Sequence, residues 1–146
     1  MREFSRLEQV YKQATIIPFD KESKFVFFGD QHRGDDSLSD EFGRNKHIFN
    51  YALKYYLDNG FTYVEVGDGD EMWEQRSFDV IRNAHFPTFS LLRKFFLENR
   101  LLMLFGNHNI CYRKPEKVAR DLYQVYDEYQ GACDDLFPGI KFHEAL

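Results

Sequence analysis

Lys24-Phe25-Val26-Phe27-Phe28, closed by Gly29-Asp30-Gln31-His32, is the stretch from which the fold can be read. A short aromatic and β-branched run ending at glycine has the composition of a buried strand. The polar stretch from Arg33 to Asn45, rich in Asp, Ser and Gly, reads as a loop. The same pattern recurs twice. Phe61 to Val66 runs into Gly67-Asp68-Gly69-Asp70-Glu71, and Leu101 to Phe105 runs into Gly106-Asn107-His108-Asn109.

Between these runs the spacing turns helical. Ile48, Tyr51, Ala52 and Tyr55 predict a helix over Lys46 to Leu57, stopped by Asn59-Gly60. Glu71 to Arg82 and Thr88 to Glu98 predict two more, divided at Phe86-Pro87, with Asn99 as a cap. Phe4, Leu7, Val10 and Tyr11 mark a lead-in helix before Pro18. Pro115 opens a last long helix carried by Val118, Leu122, Val125 and Tyr126 towards Tyr129. Pro138-Gly139 reads as a turn, and Ile140 to Leu146 as an alternating, strand-like segment. Strands alternating with helices give an α/β architecture with mostly parallel strands. Ligands in such folds bind at the carboxyl ends of strands, where Asp30, Asp68 and Asn107 stand.

Bulk properties narrow the function. The 146 residues fit a single domain spanning 1–146, with 43% apolar and 29% charged residues. Sixteen Phe and nine Tyr mean bulky packing or a surface awaiting a partner. A net charge of -5 argues against nonspecific binding to nucleic acid or an anionic membrane. No stretch approaches the roughly 18 apolar residues of a membrane span, and no apolar leader is present, so a cytoplasmic protein is expected. Cys111 and Cys133 form no Cys-x-x-Cys pair, which argues against a zinc ribbon and suits a reducing compartment.

Each strand-end cluster has an ordinary reading when taken alone: a capped turn at Asp30-x-His32, a solvated acidic loop at Gly67 to Glu71, a turn at Asn107. Together they carry more weight, because they recur at nearly equal intervals in successive strand-to-loop units and three unrelated turns would not need these residue types. In extended chain Asp30 and His32 project to one side and can approach one cation. Asn ligates without adding charge, and His ligates or moves protons. A mixed carboxylate, imidazole and amide set without thiolates suits divalent Mn, Fe, Zn or Co.

The ordered blocks Asp30-x-His32, Gly67-Asp68-x-x-Glu71 and Gly106-Asn107-His108 resemble the signature of the calcineurin-like metallophosphoesterases over most of the chain. The resemblance implies part of a metallophosphoesterase-type β-sandwich flanked by helices, and a hydrolase of phosphate mono- or diesters that activates water at a dinuclear site. It implies two divalent metal ions, with Asp30 and His32 on the first, Asp68 bridging both and Asn107 on the second. His108 would protonate the leaving oxygen, with Glu71 and Asn109 supporting the ligands from behind. Arg33, Arg44, Arg113 and Lys114 are the loop cations available to grip a phosphate-ester substrate.

Two departures stand out. Asn109 occupies the place where the family usually has a carboxylate. The family's later His and Gly-His-x-His blocks have no counterpart, since only His143 follows, in a strand-like segment. The expectation is therefore a truncated domain, weak or inactive alone, that associates with further copies through exposed core surface. The alternative is a non-catalytic interaction module that keeps the scaffold. His47 and His85 are read as helix and loop residues without a role.

Overall fold

A computed structural model describes residues 2–127 and 132–146, without the side chains of 2, 3, 125–127 and 132–134. In chain order the elements are α1 (Arg2–Gln13), β1 (Phe25–Phe28), α2 (Glu41–Asp58), β2 (Thr62–Val66), α3 (Phe78–Ala84), α4 (Phe86–Leu97) and β3 (Leu101–Leu104). A 3-10 turn (Ile110–Arg113), α5 (Pro115–Val118), a π-helical turn (Ala119–Tyr123), β4 (Gln124–Asp127), β5 (Ala132–Asp135) and β6 (Phe142–His143) follow. The protein is mixed α/β, with a four-stranded, all-parallel sheet in the order β1-β2-β3-β6.

The sheet has two unlike faces because side chains alternate along each strand. Tyr63 and Glu65 of β2 and Leu101 and Met103 of β3 turn inward, all buried, into a core built with Phe49 and Leu53 of α2 and Phe89, Leu92 and Phe95 of α4. The opposite face carries Phe25, Phe27, Val64 and Leu102. The segment after α1 lines it with Ile16, Ile17 and Phe19, leaving an apolar groove of about 640 Å³. Phe27 stays 63% exposed there. Thr15 ties this segment to the sheet edge, its Oγ1 lying 2.8 Å from His143 Nδ1. His143 thus sits on the edge strand, as its setting predicted. Among the described residues no helix is long and apolar enough to cross a membrane. Cys111 is a half-buried free thiol whose pKa burial pushes up.

Three helix predictions need correction. α2 starts at Glu41 and not at Lys46, because Asp40 caps it, Oδ1 accepting from the Gly43 amide at 3.2 Å. The helix expected from Glu71 begins only at Phe78. The Glu71 amide donates to the Arg33 carbonyl at 3.0 Å and its side chain accepts from the Trp73 amide at 3.1 Å, so residues 71–77 are held in turns until Ser77 caps α3. The long helix expected from Pro115 lasts one turn, widens into the π-helical turn and becomes β4. Val125 and Tyr126 pair antiparallel with Asp134 and Cys133, a use suited to β-branched and aromatic residues, whereas Tyr129 lies outside the described residues. Asn99, read as a cap, does end α4 at φ +55°, with Arg100 N donating to Phe95 O at 2.8 Å.

Candidate metal centre

The parallel register places the carboxyl ends of β1, β2 and β3 side by side, so the three glycine-led loops leave the sheet together. The first two stay joined beyond the strands. Asp30 N donates to Gly67 O at 3.2 Å, His32 N to Asp68 O at 2.9 Å, and Arg33 N to Gly69 O at 2.9 Å. Asp30 (φ +56°), His32 (φ +48°) and Asp68 (φ +49°) all take left-handed backbone, which costs on the order of 1 kcal/mol or more per non-glycine residue and persists only where neighbours enforce it. The local geometry is therefore not the extended chain expected for Asp30-x-His32. The side chains converge regardless, His32 Nε2 lying 3.8 Å from Asp30 Oδ1.

Two glycines make the third loop fit. Gly67 takes φ +85°, and a Cβ on it would meet the Gly106 backbone at 3.1 Å. A Cβ on Gly106 would fall 2.3 Å from Asp68 Oδ1, so only glycine lets that carboxylate lie against the third loop. Asp68 Oδ1 accepts from the His108 amide at 2.7 Å.

Two overlapping groups result. Asp30, His32 and Asp68 offer ligand atoms within 4.8 Å of one another, as do His32, Glu71 and His108. Glu71 Oε2 is 3.0 Å from His32 Nδ1 and 2.6 Å from His108 Nδ1. An ionised carboxylate only accepts, so both Nδ1 atoms carry hydrogen towards Glu71 and each ring keeps Nε2 for another partner. Burial pushes the Glu71 carboxyl up, but hydrogen bonds from His32, His108 and the Trp73 amide outweigh it and hold the group below its ordinary value. His32 Nε2, the nitrogen not engaged by Glu71, then faces the Asp30 carboxylate at 3.8 Å. That arrangement fits a cation, and the Glu71 contact matches the carboxylate that fixes a metal-bound histidine.

The chain was compared with protein-family models, curated proteins and solved structures. It matches none of them.

The remaining expected residues fall in different places. Asn107 is exposed at the same strand-end loop, next to His108. Asn109 is fully buried, Oδ1 accepting from the Gly106 amide at 2.7 Å, so it braces the third loop and reaches neither imidazole through a hydrogen bond. Arg33 must be corrected. It is no phosphate clamp, because it is wholly buried, Nη1 and Nη2 donating to Glu65 at 2.8 and 2.9 Å and Nε to Asp70 at 2.8 Å. Burial pushes the Asp70 carboxyl up despite the Arg33 charge, and removing one partner from such a set typically costs about 3–5 kcal/mol. Gly69 belongs to this arrangement, since a Cβ there would lie 2.0 Å from Glu65 Oε1. Arg113 remains surface-accessible, 3.9 Å from Glu144.

Sequence reasoning passed over four residues. Glu65 is a charge inside an apolar strand, a visible signal of a buried partner. Asp40 and His85 form a fully buried pair at 2.7 Å, so His85 lies in the turn between α3 and α4, as read, but has a structural role that the reading missed. Trp73, in a stretch read as helix, stacks on His108 with ring centroids 4.0 Å apart and planes at 22°. An open cleft of about 530 Å³ runs along the first loop from His32 and Glu71 to Asp40 and Asn45.

Proposed function

We propose that the chain is a metal-dependent hydrolase of phosphate mono- or diesters, of the calcineurin-like metallophosphoesterase type. The observation that carries this reading is Glu71 holding His32 and His108 through one oxygen, beside the convergent Asp30, His32 and Asp68. One imidazole is thereby prepared as a ligand and the other as a proton carrier. Asp30, His32, Asp68 and Asn107 would hold two divalent ions of the Mn, Fe, Zn or Co kind, which supply Lewis-acid charge for the phosphoryl oxygens and a water acidified towards neutrality.

The chain's own residues do the rest. Asp68 is fixed by the His108 amide and the Gly106 gap, so its free oxygen is presented without rotamer search. With Nδ1 given to Glu71, Nε2 is the nitrogen of His108 left to protonate the departing oxygen, and the Glu71 carboxylate balances the imidazolium that carries that proton. With Arg33 buried, Arg44, Arg113 and Lys114 are the cations left as candidates to meet the phosphate.

Hydrolysis of an aryl phosphate monoester and diester with Mn2+ tests the reading, with bound metal quantified in the parent and in Asp68→Asn. The parent is expected to turn over, and the variant to lose roughly a hundredfold or more in rate together with metal. Activity unchanged in the variant rejects the site. A second reading, an interaction module on the same scaffold, is favoured by the apolar groove on the far face, and metal bound without turnover would support it.

A further inference from the structure

Trp73 is a large aromatic side chain that the fold does not bury. It is 64% exposed, although Met72 and Tyr112 close by pack into or against the core. Its position is nevertheless set from two sides: its amide donates to Glu71 Oε1 at 3.1 Å, and its indole lies nearly parallel to the His108 ring at 4.0 Å. Glu71 therefore fixes the imidazole and, through the backbone, the indole stacked on it. His32 meets the same imidazole at 86° with centroids 4.3 Å apart, so the His108 ring is held by Glu71, His32 and Trp73 together.

Resting on the hydrolase reading above, we propose that Trp73 is the platform of a subsite for a planar aromatic group on the leaving side of the ester. In the hydrolysis the oxygen of water joins phosphorus and the bond from phosphorus to the leaving oxygen breaks. The proton of His108 Nε2 passes to that oxygen, and a proton from the attacking water restores the imidazolium. The products are the phosphate and an alcohol or phenol. Whatever group the leaving oxygen carries must lie beside His108 when it takes the proton, and the solvent-exposed surface stacked on His108 is the indole. Aromatic rings stack favourably on indole in offset geometry, and nucleobases do so irrespective of sequence. An aryl or nucleobase-bearing phosphoester thus matches the site better than an alkyl one.

Phosphonates cannot be hydrolysed, so they separate binding from turnover. In the Zn2+-loaded full chain, benzylphosphonate is expected to bind about tenfold more tightly than n-propylphosphonate, the scale of one ring-on-ring contact. Trp73→Ala should level the two affinities, and Trp73→Phe should keep part of the preference. Because Trp73 is the single tryptophan, its fluorescence should also change with benzylphosphonate in the parent. The residue is mostly exposed, so the substitutions leave the core intact. Equal binding of the two phosphonates in the parent, or a preference that Trp73→Ala leaves unchanged, overturns the aromatic subsite and spares the hydrolase reading. Failure of both ligands to bind overturns the hydrolase reading and the subsite with it.

Discussion

Glu71 divides its carboxylate between two imidazoles and the Trp73 amide, so the placement of His32, His108 and Trp73 depends on one residue. Glu71→Gln keeps the shape but removes the charge that makes both Nδ1 atoms donors. Metal affinity by calorimetry is expected to drop roughly 10- to 100-fold, with thermal unfolding of the metal-free protein little changed. An affinity within twofold of the parent would remove Glu71 from the site. This residue could be read from its offset within the Gly67-Asp68 block, as could Asp30, His32, Asp68 and His108. Its double contact could not, because it depends on three loops meeting. Arg33 shows the opposite difficulty: a cation in a polar loop looks the same in sequence whether it faces solvent or, as here, two buried carboxylates.

Among the elements, the three strands that bear the site were legible because each is an apolar run closed by glycine, as parallel strands buried by helices tend to be. Helix ends were less so. Ser39-Asp40-Glu41 has loop composition, yet Asp40 caps α2 and also accepts from the Gly34 and Asp36 amides and from His85. That pairing joins the start of α2 to the junction of α3 and α4 and gives the fold an acid-sensitive point. Burial pushes the His85 pKa below its ordinary 6.5 against the pull of Asp40. Burial raises the Asp40 carboxyl, but the Asp36 amide and His85 overcome it and set the group below its ordinary 3.8. The unfolded chain therefore binds more protons than the folded one just below pH 6.5, and stability is lost as pH falls through that window. Asp40 adds a second loss below pH 3.8. Melting temperature followed from pH 7 downward should fall less steeply between about pH 6.5 and 5 in His85→Gln than in the parent, although the variant starts lower by about 1–3 kcal/mol for the lost partner. Parallel slopes would show that the His85 proton is not the one being taken up.

For the molecule as a whole, an abundance of Phe and Tyr was visible from composition, but its distribution was not. Helical period tells that a helix has an apolar side; it does not tell that α2 and α4 share one face of the sheet while the other face is lined by the end of α1, the segment after it and Leu146. The same holds for β4, whose Val125 and Tyr126 satisfy helical spacing until a partner strand is available. The ladder that continues from β1 and β2 into their loops gives those loops a slow clock. Backbone N–H groups on strand-end loops ordinarily trade hydrogen with water quickly, but those of His32, Arg33 and Glu71 are engaged across the two loops. In a deuterium-exchange time course these three amides should persist with the core strands, while Ser37, on the exposed part of the first loop, exchanges early; simultaneous early loss would mean that the loops separate without unfolding. If they do persist, the backbone that carries Asp30, His32 and Asp68 keeps its shape until the sheet itself opens.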